Sequence, residues 1–193
     1  MQLKKIVLFC CFIGVVSSSF ADEKTTYGLH EKVQIMDLNG MIVAAKLDTG
    51  ARNASLSAVD IELFTKDNKN WVRFSPLIEG KKFKTMERPV VKLAKIKRRV
   101  GDCPADEDRE EDENSLKNDA VKDNDTNKPE YAYRPEIQMQ VCLGNSLKTI
   151  EVNLTDRSSF KFPLLIGAKA LNKFNALVDP SVDYQSKASC SAK

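Results

Sequence analysis

The chain has 193 residues and sets 30 Lys and Arg against 27 Asp and Glu, a net charge of +3. That length gives one ordinary domain, and so small a net charge excludes a protein that holds polyanions by overall charge. A single histidine excludes a histidine-rich metal centre.

The first residues read as a targeting segment. Two lysines within residues 1–5 precede an apolar run, Ile6 to Val16, followed by Ser17-Ser18-Ser19-Phe20-Ala21. A basic start, a short apolar centre and a small-x-small end spell a secretory signal peptide, 1–21, cleaved after Ala21. The run is too short to favour a membrane span, so no stable membrane insertion is expected after cleavage. Lipoprotein processing at Cys10 or Cys11 is the weaker alternative, because Leu8-Phe9 makes a poor lipobox. Residues 22–193 are then one exported domain, periplasmic or secreted. That compartment is oxidising, so two of Cys103, Cys142 and Cys190 can pair, in any of three ways, with one thiol left over.

Asp22 to Leu29 is polar and expected to fray. From His30 to Leu38, Val33 and Ile35 alternate with polar residues; Asn39-Gly40 reads as a two-residue hairpin turn and Met41 to Leu47 as the return strand. His30 is expected at the surface. The hairpin delivers Leu47-Asp48-Thr49-Gly50-Ala51. A strand ending in Asp-Thr-Gly sets a carboxylate on a tight turn, where Gly50 admits close backbone approach and the Thr49 hydroxyl can bond neighbouring backbone. Ala51 to Ala58 is small and polar around Leu56, and Val59 to Phe64 pairs with Trp71 to Phe74 across a turn at 67–70.

Lys81 to Arg99 is basic, opposed only by Glu87. It has no interleaved aromatic beyond Phe83, which together with the compartment argues against nucleic acid as a partner. Arg88 to Val100 reads as one strand or two, broken near Ala94-Lys95. Gly101 to Pro129 is acidic and polar, with Leu116 and Val121 its apolar exceptions, so 101–129 is expected to be a disordered insertion.

Strand character resumes from Tyr131 to Leu143, with Ile137, Met139 and Val141 on one face and Cys142 on the other. A turn at Gly144-Asn145 and a strand from Ile150 to Leu154 follow. In the next loop, Asp156-Arg157 reads as an ion pair bracing the barrel or as support for a site. Phe162-Pro163-Leu164-Leu165-Ile166-Gly167 is a short buried strand, Ala168 to Phe174 a helix, and Leu177 to Pro180 closes the domain. Many short strands and one late helix predict a mainly β protein: a small closed β-barrel with one short C-terminal helix.

This order, with Asp-Thr-Gly-Ala early and Leu-Leu-Ile-Gly before a short helix late, resembles the retropepsins. More specifically, it resembles the bacterial retropepsin-like family labelled ATP-dependent zinc protease. The segments that carry the resemblance are 46–52 (KLDTGAR), 71–74 (WVRF), 88–91 (RPVV), 153–158 (NLTDRS) and 164–167 (LLIG), which span nearly the whole of the mature domain. The resemblance implies the acid-protease barrel and a homodimeric peptidase acting on a peptide or protein. It makes Asp48 the catalytic residue, Thr49, Gly50 and Ala51 its active-site loop, and Asp156, Arg157, Ile166 and Gly167 the support of the site. The family usually has Arg directly after Ile-Gly, where this chain has Ala168; that Arg braces the dimer region in retropepsins. Neither half of the family label finds chemistry here. The chain has no His-Glu-x-x-His and no phosphate-binding Gly-x-x-x-x-Gly-Lys loop, so neither metal nor other cofactor is expected.

Aspartic peptidases share one proton between two carboxylates, one polarising the peptide carbonyl and the other activating water. With one Asp-Thr-Gly per chain, two copies must bring their Asp48 side chains together across a two-fold axis. The alternative is a binding or regulatory module of the cell envelope that keeps the barrel without turnover.

Overall fold

In the computed structural model, residues 24–97 and 131–190 are described. The signal segment 1–21, the insertion 101–129 and Cys103 lie outside them.

Twelve strands and one helix follow in chain order: β1 (Thr25–Gly28), β2 (His30–Ile35), β3 (Met41–Asp48), β4 (Ala54–Lys66), β5 (Lys69–Ile78), β6 (Lys81–Lys82), β7 (Met86–Pro89), β8 (Lys92–Lys97), β9 (Tyr131–Leu143), β10 (Ser146–Thr155), β11 (Leu164–Gly167), α1 (Ala168–Lys173) and β12 (Ala176–Asp179). Strand β2 pairs with β3, β3 with β11, β11 with β4, β4 with β10, β10 with β9, and β9 back with β2. The ring closes, so the barrel leaves no open edge among those six strands. Its interior is lined by Val33, Ile35, Leu47, Leu56, Ile137, Met139, Ile150, Leu154, Leu164 and Ile166, each at most 2% exposed. Burying each such side chain is worth about 1.5–3 kcal/mol, the main drive for closure.

Strand β4 belongs to two structures. Ala54 to Ala58 is wholly buried in the barrel wall, whereas Val59 to Lys66 is half-exposed and forms a hairpin with β5 beyond a bulge between Val59 and Glu62. The segment read as small and polar around Leu56 is strand at 54–58, paired with β10 and β11, and Leu56 is buried in the core. The β4–β5 turn is the two residues Asp67-Asn68, both at positive φ.

Several expectations are corrected. The segment expected to fray holds β1, which pairs in parallel with β12 and buries Tyr27. The β2–β3 connection is not a two-residue turn: a single 3-10 turn, Met36–Leu38, precedes Asn39 and Gly40, which do take positive φ. The break in the basic stretch falls at Val90-Val91, between β7 and β8; Ala94 is buried within β8. His30 is not a free surface residue. Its ring stacks on Phe162 at 4.3 Å and its Nδ1 lies 2.9 Å from Asp183 Oδ1.

The segment after β12 straps the barrel. Leu29 N donates to Val182 O, Tyr184 N to His30 O and Ser189 N to Gly144 O. The strap ends in a disulfide between Cys142 on β9 and Cys190, which selects one of the three pairings left open by the sequence. No helix among the described residues is long and apolar enough to cross a membrane.

Candidate active site

Strand β3 alternates buried Val43, Ala45 and Leu47 with Lys46 and Asp48 on the opposite face. Where it ends, the backbone turns back on the Asp48 carboxylate: Oδ1 accepts N–H groups from Gly50 at 3.0 Å and Ala51 at 3.2 Å. The side chain stays 29% exposed, and Lys46 Nζ stands 3.9 Å from the other oxygen, Oδ2. The loop thus presents a carboxylate to solvent with one oxygen fixed and one open. The Thr49 side chain is exposed and makes no hydrogen bond among the described residues, unlike the backbone bond expected of it.

Strand β11 runs parallel to β3 and sets Gly167 opposite Asp48. A Cβ on Gly167 would come within 2.5 Å of Asn53 O and 2.8 Å of Ala51 O. Only glycine lets the two segments approach so closely. The following N–H groups complete the contact: Ala168 N donates to Ala51 O at 2.8 Å and Lys169 N to Arg52 O at 3.1 Å. Asp48, Thr49, Gly50, Ala51, Ile166 and Gly167 therefore form one cluster, as their motifs implied.

Asp156 and Arg157 part company. Asp156 is exposed, and its Oδ1 accepts Ser158 N at 2.8 Å. The expected ion pair with Arg157 is absent among the described residues, because the Asp156 side chain closes its own turn instead. Arg157 is buried. Burial is the largest influence on its guanidinium, pulling its pKa below the ordinary value; Arg134 adds to the drop and Asp48 opposes it.

Four further residues brace the loop. Asn53 Nδ2 donates to Oε1 of the fully buried Glu136 at 2.8 Å, Glu136 Oε2 pairs with Lys92 Nζ at 3.0 Å, and Asn153 Nδ2 donates to Ala54 O at 2.7 Å. Motif reading quoted Asn153 within 153–158 without giving it a role and missed Asn53, Lys92 and Glu136, because these residues meet only in three dimensions. The available signal was Glu136, a lone carboxylate one residue before the apolar alternation of β9. Among the described residues no group of three His, Cys, Asp or Glu stands close enough to hold a metal ion.

The model of a family described as retropepsin-like aspartic endopeptidase RimB matches residues 26–188. The chain belongs to this RimB-like family. The match begins in β1 and ends in the strap, so it covers the barrel, the Asp48 loop and the Ile166-Gly167 segment together. The chain is also 27% identical over 164 residues to a Shewanella pealeana protein named "Probable alpha-L-glutamate ligase", a match covering 85% of this chain and 30% of that protein. A Desulfotalea psychrophila protein of the same name is 24% identical over 162 residues, with 82% and 29% covered. The chain therefore spans about a third or less of the length of these curated relatives. Among solved structures, Lpg0085 of Legionella pneumophila, described as of unknown function, is similar at 29% identity with a TM-score of 0.60, covering 86% of this chain and all of that one.

Proposed function

We propose that this chain, exported and freed of residues 1–21, is an aspartic endopeptidase whose working unit is a homodimer. The observation that carries the reading is the Asp48 loop: one carboxylate oxygen is held by the N–H groups of Gly50 and Ala51, and the loop is packed against Gly167 at the end of β11. In the dimer, the unprotonated Asp48 takes a proton from water as the water attacks the peptide carbon, and the protonated Asp48 donates a hydrogen bond to the carbonyl oxygen. The two carboxylates titrate as a pair. No metal or other cofactor enters this chemistry. The names of the longer relatives point to glutamate as the substrate's residue. Lys46, Arg52 and Arg157 put positive charge around Asp48 that suits an acidic peptide.

The test is cleavage of an unfolded protein mixture and of glutamate-containing peptides between pH 4 and 7 by the mature protein and by Asp48→Asn. Cleavage by the parent alone is expected. Equal cleavage by both sinks the reading. Finding the mature protein with residues 1–21 still attached in the soluble interior of the cell sinks the export part.

A second reading is a binding or regulatory module without turnover. Two observations favour it: Lys46 stands beside the Asp48 oxygen that a second carboxylate would approach, and Ala168 occupies the place of the bracing Arg. It predicts a monomer at micromolar concentration by light scattering, whereas the peptidase predicts a dimer.

A further inference from the structure

The loop between β10 and β11 buries a cation without giving it an anion. Arg157 is 8% exposed. Its backbone N–H donates to Ser57 Oγ at 3.3 Å, its Nε donates to Phe162 O at 3.3 Å, and its guanidinium lies 4.6 Å from the centre of the Phe160 ring. Among the described residues no carboxylate comes within ion-pairing distance of it, and its two terminal amino groups have no hydrogen bond. Withdrawing a cation from water costs several kcal/mol unless an anion compensates, so an Arg left in this state is spending stability. The contrast with the rest of the chain is direct: Arg73 meets Glu62 and Glu87, and Arg88 meets Asp37.

Arg157 borders open space. It lines a cavity of about 200 Å³ together with Ser57, Leu77, Gly80 and Phe160. Exposed Glu79 and Lys161 border the same cavity and bring one charge of each sign, so Arg157 supplies its net charge. Ser57 lies on the barrel half of β4, the strand that leaves the active-site loop. Pro163, also in the lining, leads directly into β11, whose last residue Gly167 sits opposite Asp48, so the elements around the cavity run on to the active-site loop. A guanidinium whose terminal amino groups are free presents the planar fork that matches a carboxylate.

We propose that this cavity is a carboxylate-binding subsite of the peptide groove, in which Arg157 clamps a carboxylate of the bound chain. Its place in a reaction rests on the peptidase reading, but the binding does not. The carboxylate can come from an acidic side chain, which suits internal cleavage, or from the peptide's own C-terminus, which suits trimming from the end.

The test uses the full chain carrying Asp48→Asn, to prevent turnover, and calorimetric titration with three short peptides. One contains a single Glu and is blocked at both ends. The second has Gln in its place. The third is the Gln peptide with a free C-terminal carboxylate. At least one carboxylate peptide is expected to bind about tenfold or more tighter than the blocked Gln peptide, the loss of a charged hydrogen-bonded pair, and which one does so names the source. Adding Arg157→Met is expected to erase the preference while leaving the melting temperature of the free protein unchanged or raised, as removing a merely structural arginine would not. If that variant fails to fold, Arg157→Lys, which keeps charge but not the fork, is expected to lose most of the preference. Three peptides that bind alike, none that binds, or a preference surviving at position 157 would each overturn the subsite. Cleavage by the parent without any preference removes the subsite alone; a preference without cleavage removes the peptidase reading alone.

Discussion

Glu31 and Arg157 are both charged and both buried, yet the fold treats them in opposite ways. Glu31, fully buried on β2, receives four hydrogen bonds: Oε1 accepts Gly28 N and Gln185 N, and Oε2 accepts Ser186 N and Ser186 Oγ. Three of those donors come from the C-terminal strap, so the carboxylate is the peg on which the strap hangs. Arg157 has one hydrogen bond from its guanidinium, to a carbonyl oxygen, and empty space beside it. A protein that completes one buried charge and leaves another incomplete is spending stability at the second, and such spending concentrates where ligands bind.

If that contrast is right, removing Glu31 is the most damaging single change. Glu31→Ala leaves the buried Gly28 N–H and the part-buried Gln185 and Ser186 donors without their acceptor and should cost about 2–4 kcal/mol, read as a fall in the urea midpoint. Glu31→Gln should be only partly better, because its amide nitrogen must face donors on one side. A loss under about 1 kcal/mol would mean that water replaces the carboxylate and that the strap is loosely held. The disulfide comes next. Cys142 and Cys190 close a loop with a sequence separation of 48, and Cys142→Ser should cost about 2–4 kcal/mol. The effect should be matched by reductant on the parent and should add little to Glu31→Ala, since both release the same segment.

Gly167→Ala tests the site end. Its Cβ would press on the Asn53 and Ala51 carbonyl oxygens, which are backbone and can yield only by moving the Asp48 loop. A cost of about 1–3 kcal/mol is expected, with cleavage lost more steeply than stability. Arg157→Met should cost no stability and can raise it, since it removes a buried cation that has no anion. That ranking, Glu31 far above Arg157, is the comparison in measurable form, and its reversal would make Arg157 a structural residue.

Much of the barrel could be read in advance because its signals are local. Period-two alternation marked β2 and β9, the hairpin return marked β3, and Asp48-Thr49-Gly50 with Ile166-Gly167 marked the two halves of the site. What escaped was set by partners far away in sequence. β1 looked like a fraying end because its mate, β12, lies some 150 residues on. Ala54 to Ala58 was legible only as small and polar around Leu56, because small residues signal close neighbours only once the neighbours are known. Glu31 and Glu136 looked like ordinary polar positions in strands, and nothing local foretells that Ser186 or Asn53 will come to meet them. His30 was misplaced for the same reason: Phe162 and Asp183 cover it from across the fold.

The smallest expected effect sits between the two extremes. Glu136 is as buried as Glu31, but it is completed by one amide, Asn53, and one half-exposed cation, Lys92, which also meets Glu151 at 2.8 Å. Lys92, hydrogen-bonded to Glu151 and Glu136, has its pKa raised, and Glu151, hydrogen-bonded to Lys92, has its own lowered from 4.5. A lowered carboxylate pKa stabilises the fold above its unfolded value, and that contribution is lost as pH falls through the folded value. A raised lysine pKa contributes fully below 10.5 and is lost only as pH climbs beyond it. The pair therefore stabilises the protein across the neutral range and fails first on the acid side. Both side chains are a third or more exposed, so solvent screening holds the cost of Glu151→Gln below about 1 kcal/mol at pH 7. The difference between parent and variant should vanish once pH falls below the lowered Glu151 value, and it should shrink in high salt. A difference that persists in acid would mean that Glu151 acts through packing rather than charge, leaving Lys92 to serve Glu136 beside the Asp48 loop.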